Sequence, residues 1–164
     1  MAEHFSKLTA TNFQLAMPLI PSETSIRSTD ELILNTFGVV IPGVNIDQEE
    51  QRWQGGKIIV PGGTITFDAF NTSFMVDADL DNWKVLFDWI TYINNNFDSF
   101  VGEYSNYVID ASLRLMDNFG AQTRLITFKN LWIQSLGEVT LSQREGEPVM
   151  ECTATFSYDR FVVA

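Results

Sequence analysis

Acidic residues at alternate positions are the first group in this chain that could carry chemistry. The segment Asp77-x-Asp79-x-Asp81-Asn82 has the spacing with which a calcium-binding loop begins, where carboxylates converge on one hard cation. The rest departs from that pattern, since Asn82 stands where the sharp-turn glycine belongs and Asp88 is shorter than the usual bidentate glutamate. The segment also has helical spacing. We therefore interpret these carboxylates as residues that begin a helix, not as metal ligands.

Two glycine pairs and one histidine are the other candidates for a chemical site. Gly55-Gly56-Lys57 and Pro61-Gly62-Gly63-Thr64 resemble phosphate loops, but the Walker spacing is absent and no helix follows, so turns are the better interpretation. A Ser-His-Asp triad would depend on His4, the sole histidine, near the N-terminus. Paired carboxylates of a glycosidase are not excluded by number, but the acidic residues have the pattern of solvated groups. We predict no enzymatic activity, no cofactor and no metal.

The composition indicates one soluble domain spanning residues 1–164 with a strongly acidic surface. The formal net charge is −11, which argues against duplex DNA binding through phosphate neutralisation. Cys152 is the only cysteine, so neither an intrachain disulfide nor a cysteine zinc cluster is possible. The N-terminus lacks the pattern of a signal peptide, and no apolar run reaches the length of a membrane helix. We expect synthesis in the cytoplasm and no membrane association.

Period-two alternation of apolar and polar residues predicts strands along most of the chain. Residues 107–115 and 149–158 alternate cleanly, which indicates a sheet with one buried and one wet face. Further strands are predicted over 12–19, 32–41, 64–76, 123–133 and 136–143. Turn residues at 118–120 and 145–148 join the last strands into antiparallel hairpins.

Residues 79–94 are predicted to form a helix. One apolar stripe has helical spacing and comprises Leu80, Trp83, Leu86, Phe87, Ile90 and Ile93. Asp77 or Asp79 is expected to cap the start, and Trp89 lies off the stripe, where we expect it to touch a neighbouring protein. A weaker helical stretch is predicted near 97–104. The fold class is mainly β, an antiparallel β-barrel or sandwich with one flanking α-helix.

Several segments in this order resemble the tail tube proteins of contractile-tailed bacteriophages over roughly 12–160. A strand with a proline end at 12–21 precedes Ile41-Pro42-Gly43 and a long loop, 42–63, that contains Gln51-Arg52-Trp53. The most specific pieces are Phe87-Asp88-Trp89 in the helix and KNLWIQSLGEV at 129–139. Ile133 departs from the family pattern, in which proline is common at this point.

The resemblance implies a structural virion protein whose hexameric rings stack into the inner tail tube and form the channel for genome ejection. Its implied partners are further copies of itself, the sheath, tape measure, baseplate and tail terminator proteins, with DNA passing unbound through the lumen. It implies a location in the phage tail of the virion, after assembly in the host cytoplasm. Open sheet edges that pair between copies agree with this interpretation.

Three groups of residues are assigned to surfaces of such a tube. The long loop is expected to reach the adjacent ring through exposed apolar anchors: Trp53, Ile58, Ile59 and Val60. Acidic residues on polar strand faces are expected to line the lumen: Asp110, Glu138 and Glu151. The exposed side of the helix is expected to face the sheath: Asp81, Lys84, Asp88 and Thr91.

Three alternatives remain at this point. A type VI secretion or bacteriocin inner tube shares the implied fold, although the high negative charge favours a channel that carries DNA. A monomeric β-barrel that binds a small ligand belongs to a different class and would need no exposed apolar loop. The loop itself could also be a simple β-hairpin packed onto its own barrel.

Overall fold

A computed structural model describes residues 12–18, 33, 35–97, 104–141, 143, 146 and 149–164. Strands dominate these residues, as the alternation predicts. In chain order the elements are β1 (Phe13–Ala16), β2 (Thr36–Val40), β3 (Val44–Trp53), β4 (Gly56–Phe67), β5 (Phe70–Met75), α1 (Asp81–Asn96), a 3₁₀ turn (Tyr104–Asn106), β6 (Ile109–Met116), β7 (Gln122–Leu136), β8 (Glu151–Ser157) and β9 (Arg160–Val163).

The long strand β7 belongs to two sheets. Its first part pairs with β6 and β9, and β1 extends that sheet beyond β6; we call this group the β6 sheet. Its last part pairs with β8, followed by β5 and β2; we call this group the β8 sheet. All these pairings are antiparallel. Within the described residues the path ends at β1 on one side and at β2 on the other, which gives a sandwich and not a closed barrel.

The core lies between the inner faces of the two sheets. The alternation on β6 and β8 is confirmed, since Ile109, Ala111 and Leu113 are buried, as are Cys152, Ala154 and Phe156 on β8. Phe70 of β5 and Phe128 of β7 join the two layers with ring centroids 4.3 Å apart. Burying one such side chain contributes about 1.5–3 kcal/mol to folding, so this aromatic contact holds the layers together.

The helix begins at a different residue from the predicted one, and its N-terminus is not capped as predicted. α1 starts at Asp81 after Leu80, which has a left-handed backbone (φ 62°), and no side chain caps it. The predicted caps Asp77 and Asp79 were therefore wrong. Asp77 is used elsewhere, because its Oδ1 accepts a hydrogen bond from Asn35 Nδ2 at 2.6 Å. Asn82 anchors the first turn instead, donating from Nδ2 to the carbonyl of Met75 at 2.6 Å.

The buried side of α1 is also rotated relative to the predicted stripe. Val85, Leu86 and Trp89 are the buried apolar residues of the helix, whereas Leu80 and Phe87 are exposed. Trp89 was predicted to lie on the outer surface and is wholly buried. The reason is a polar anchor in the core: its Nε1 donates to the main-chain carbonyl of Tyr107 at 3.1 Å, and its ring lies 6.1 Å from that of Phe156.

Two predicted strands have different bounds in the structure. The strand predicted over 64–76 is divided at Asp68-Ala69, because β4 pairs with β3 while β5 pairs with β2 and β8. The strand predicted over 136–143 is absent over 137–141, because β7 continues without a break to Leu136 and ends before Gly137. The predicted turn at 118–120 is confirmed by the left-handed Gly120. Residues 98–103 and most of 145–148 lie outside the described residues.

Candidate assembly surfaces

The predicted long loop over 42–63 is a regular β-hairpin built from β3 and β4. Gln54 and Gly55, both with positive φ, form the turn between Trp53 and Gly56. The hairpin forms a two-stranded sheet of its own, and almost all of its residues are exposed. The interpretation of Gly55-Gly56 as a turn is confirmed. The second glycine pair lies inside β4, so its interpretation as a turn was wrong.

A bulge in β4 explains that second glycine pair. Ile46 lies opposite Ile65, but Gln48 lies opposite Pro61, so β4 carries extra residues at this point. Gly62 packs directly on β3 there, where a Cβ atom would lie 2.9 Å from the main-chain oxygen of Asp47. Any larger residue would push the strands apart, so the close approach requires glycine.

Both faces of the hairpin carry exposed apolar side chains. The register puts one set on what we call the aliphatic face: Val44, Ile46, Ile59, Pro61 and Ile65. The other set lies on what we call the indole face: Trp53, Ile58 and Val60, together with Glu49 and Gln51. Exposure reaches 64% for Trp53 and 67% for Ile59. Of the predicted stacking residues, Trp53, Ile58 and Ile59 are exposed and Val60 is half-buried. Ile59 points away from the other three.

The two hairpin faces also differ in charge. On the aliphatic face Lys57 pairs with Glu50 at 2.8 Å, and Arg52 lies opposite Lys57. The indole face carries Glu49 and no cation, and Asp47 lies beside it at the bulge. The aliphatic face therefore has a slightly positive net charge, and the indole face has a negative one.

The solvent face of the β8 sheet is covered by uncharged polar groups. Asn71 lies opposite Thr155, and Ser73 opposite Thr153. Thr155 Oγ1 donates to Asn71 Oδ1 at 2.8 Å, which fixes the orientation of this pair across the strands. Glu151 is the acidic residue at the end of this face. The alternation predicted a polar face for this strand, but not that hydroxyl and amide groups dominate the assembled face.

The solvent face of the β6 sheet is basic. Asp110 accepts a bond from Lys129 Nζ at 2.5 Å, and this bond lowers the pKa of the Asp110 carboxyl. Arg114 and Arg160 are exposed on the same face, and no carboxylate of the described residues lies within ion-pair distance of either. Asp159 lies at the edge of this face. The sequence pattern did not predict this cluster, because its cations come from three different strands.

The three predicted lumen carboxylates are not brought together. Asp110 lies on the β6 sheet, Glu151 on the β8 sheet, and Glu138 in the segment after β7. The predicted sheath-facing residues Asp81, Lys84 and Asp88 do share one stripe of α1. Among the residues that the structure describes, no helix has the length and apolar character to span a membrane, and no group of three or more potential ligands could hold a metal.

Comparison with known proteins places the chain in a family. A family profile described as "Phage tail tube protein" matches residues 7–164. The chain belongs to the phage tail tube protein family. This confirms the resemblance, and it makes the chain a structural protein of a phage tail, with the β-rich fold that the alternation predicts.

Individual relatives of this tail tube family member include both tubes and terminators. The tail tube terminator protein of Enterobacteria phage T4 is 27% identical over 164 residues, covering 97% of this chain and 90% of that protein. The sheath-tube complex of the PVC extracellular contractile injection system has TM-score 0.63 at 16% identity, with 99% of this chain and 93% of that chain covered. The sheath/tube terminator of the same system has TM-score 0.63 at 15% identity, covering 100% and 99%. These structures share the fold.

Proposed function

We propose that six copies of this tail tube family member close into a ring that terminates a phage tail tube. In this ring the solvent face of the β8 sheet lines the central channel. The observation that carries the proposal is a sheet with two open edges and a solvent face that is uncharged except for Glu151, in a chain similar over nearly its whole length to a tail tube terminator. Genome passage through the channel follows from this placement.

The open edges of the β8 sheet support ring closure. Strand β2 is its outermost strand at one side, and beyond Leu131 the other edge of β7 has no partner among the described residues. Unpaired strand edges invite pairing with another chain, and pairing β2 of one copy with β7 of the next removes both edges at once. The sheets of neighbouring copies then join into one continuous wall.

The chemistry of the solvent face suits a channel wall. Hydroxyl and amide groups such as those of Asn71, Thr153 and Thr155 neither attract nor strongly repel phosphate, so a polyanion would pass without being held. In this proposal Glu151 remains a lumen residue. Asp110 lies on the opposite layer and Glu138 outside the strands, so the lumen is mainly neutral, in contrast to the acidic lumen expected from the sequence.

The aliphatic face of the hairpin supports stacking on an adjoining ring. Ile46 and Ile59 are exposed there, uncovered by any other residue that the structure describes, and exposed apolar patches of this kind mark contacts with other proteins. The contact with the next ring would therefore use Ile59, one of the predicted anchors, with Val44 and Ile65 beside it.

A repeating subunit of the inner tube is the second candidate function. It is the role expected from the sequence, and a fold shared with a sheath-tube complex agrees with it. We prefer the terminator because the 27% identical relative has that role and is aligned over 90% of its length. Contacts with sheath, tape measure, baseplate and DNA remain part of the proposal for either role, and host cytoplasm remains the expected place of assembly.

Electron microscopy and sedimentation of the purified full chain distinguish these roles. A terminator is expected to form discrete rings that do not elongate and that cap tubes when the tube protein of the same phage is added. A repeating subunit would give long hollow tubes by itself. A species of 18.6 kDa under all conditions would contradict both and favour a monomeric binding module.

Stacking is tested separately with Ile46→Ser combined with Ile59→Ser. Both side chains are exposed in the free chain, so the variant is expected to fold and to form rings, but to lose capping of tubes. The matched control is Val149→Ser with Leu141→Ser, since these apolar residues are equally exposed but lie away from the hairpin. Normal capping by the Ile46/Ile59 variant would contradict the stacking proposal.

A further inference from the structure

We propose that the indole face of the hairpin docks on the basic face of the β6 sheet of a second copy, the neighbour in the same ring. This contact rests on the proposed ring and adds to it a lateral interface distinct from the strand pairing. The hairpin then serves two partners, with its aliphatic face on the next ring and its indole face on the neighbour.

The indole face has the composition of an unsatisfied interface. Trp53 and Ile58 are exposed beside Glu49, although burying an indole or a branched aliphatic side chain lowers the free energy. The described part of the chain leaves both side chains open to solvent, with Trp53 and Ile58 exposed on a hairpin that forms a separate sheet. The carboxylate of Glu49 has no cation on its own face, so the partner is expected to combine positive charge with apolar contact.

The basic face of the β6 sheet offers that combination. Arg114 lies opposite Leu125, and Arg160 lies opposite Lys129 on the same strand. Val162 lies between these cations, opposite Thr127, and is exposed. From Leu125 to Lys129 the face extends about 13 Å at the usual rise per residue, and the indole face from Glu49 to Trp53 extends about the same length.

The distribution of charge favours a second copy as the occupant. Outside the hairpin, the structure describes five cationic residues. Lys84 lies on α1 and Arg124 lies opposite Leu115 on the other face of β7, whereas the remaining three lie on the basic face: Arg114, Lys129 and Arg160. The acidic indole face and this basic face therefore belong to one chain but to different surfaces. Each copy carries one of each, which is the arrangement of a heterologous contact that can close into a ring.

The path of the chain favours a neighbour within the ring. Strand β3 follows β2 after Ile41, Pro42 and Gly43, and β2 is the open edge at which the next copy joins in the proposed function. The hairpin therefore leaves the molecule at the lateral boundary. Electrostatic attraction at that boundary orients the approaching copy before its strand edges meet.

Charge-reversing substitutions on the two proposed surfaces test the contact, one half on the acidic indole face and the other half on the basic face. The acidic half carries Asp47→Arg and Glu49→Arg, and the basic half carries Arg114→Glu and Arg160→Glu. We expect each half alone to lower the fraction of chains in rings at least tenfold at low salt, by sedimentation velocity, and both halves together to restore it to within threefold. The control with a matched charge change is Glu138→Arg with Asp88→Arg, which leaves the rings intact.

Cysteine cross-linking gives an independent readout. Gln51→Cys on the indole face and Val162→Cys on the basic face are expected to form disulfides between copies, up to a covalent ring, while Asp88→Cys with Val162→Cys does not. Circular dichroism confirms that each variant folds. This contact alone is contradicted if both half-reversal variants form as many rings as the wild type. It is also contradicted if the combined variant folds without forming rings. The absence of wild-type rings contradicts the proposed function and this contact with it.

Discussion

The indole nitrogen of Trp89 and the main-chain oxygen of Tyr107 lie 3.1 Å apart, and this hydrogen bond fixes the rotation of the helix against the sheets. The bond satisfies the polar end of a fully buried side chain. Because Trp89 faces inward, Phe87 and Leu80 are turned toward solvent, and Trp83 stacks on Phe87 with ring centroids 5.3 Å apart. One polar anchor therefore decides which side of α1 is exposed.

Trp89→Ala is expected to lower the free energy of unfolding by about 3–5 kcal/mol, the usual loss for a large aromatic side chain in a core. Trp89→Phe should cost less because most of the packing is kept. The measurement is urea unfolding followed by circular dichroism. Trp53→Ala is the control, since that indole is exposed and its loss should change the stability of the monomer by under about 0.5 kcal/mol. Equal stabilities for the two alanine variants would show that Trp89 is not part of the core.

Asp110→Asn is expected to remove an acid-sensitive contribution to stability. The bond from Lys129 keeps the folded-state pKa of Asp110 below its ordinary value of 3.8, so the stabilisation is present above about pH 4 and is lost as pH falls through the folded-state pKa. Because nearly half of each side chain is exposed to solvent, the difference at neutral pH should be well under about 1 kcal/mol.

The check on Asp110 is the difference in unfolding free energy between wild type and variant as a function of pH. That difference should shrink toward zero below about pH 4. Glu138→Gln is the control, because Glu138 is an exposed carboxylate that makes no ion pair among the described residues. A difference for Asp110→Asn that stays constant down to acid pH would contradict the ion pair.

Tyr158→Phe is expected to cost about 1 kcal/mol, because the phenolic O–H donates to the main-chain oxygen of Asp68 at 2.7 Å. Burial raises the pKa of Tyr158 to about 12, and the Asp68 carboxylate adds to the rise. Since the folded-state pKa is raised, this stabilisation is complete below the ordinary value of 10 and is lost as pH rises through about 12. The difference in phenolate absorbance between wild type and variant, measured as a function of pH, should have its midpoint near the raised pKa of about 12. A midpoint at the ordinary pKa of 10 would contradict the burial of this side chain.

Gly137→Ala is expected to destabilise the fold by about 1–3 kcal/mol, because a Cβ atom would lie 2.9 Å from the main-chain oxygen of Thr153. The same carbonyl accepts the Gly137 N–H at 2.8 Å, so a shift would also strain that bond. Gly63→Ala is the matched control, since open space surrounds that position. Thermal unfolding midpoints of the two variants should differ clearly; indistinguishable midpoints would show that β8 can move aside.

Strand pattern was the most predictable part of the fold. The alternation over β6 and β8 identified the buried residues directly, because each strand presents one face to the core and one to water. The division between β4 and β5 was not predictable in the same way. Residues 64–76 read as one strand, and the change of partner at Asp68 depends on pairing with β3 and β8, which lie far apart in sequence.

The helix shows a second limit of periodicity. A window that contains Trp83, Phe87 and Trp89 has more apolar residues than one face can bury, so the pattern permits several rotations. The choice among them came from the carbonyl of Tyr107, outside the helix. Similarly, the apolar hairpin could be predicted from Ile58-Ile59-Val60, but the pairing of Ile46 with Ile65 depends on the extra residues that β4 carries at the bulge.

Strand β7 lies in both sheets, and β8 and β9 follow one another along it, from Ser157 opposite Trp132 to Arg160 opposite Lys129. Neither layer can open without disturbing this shared strand. The amide protons of the two layers should therefore exchange with deuterium through one common opening event, and a subunit under mechanical load would remain intact or lose its whole tertiary structure in a single step.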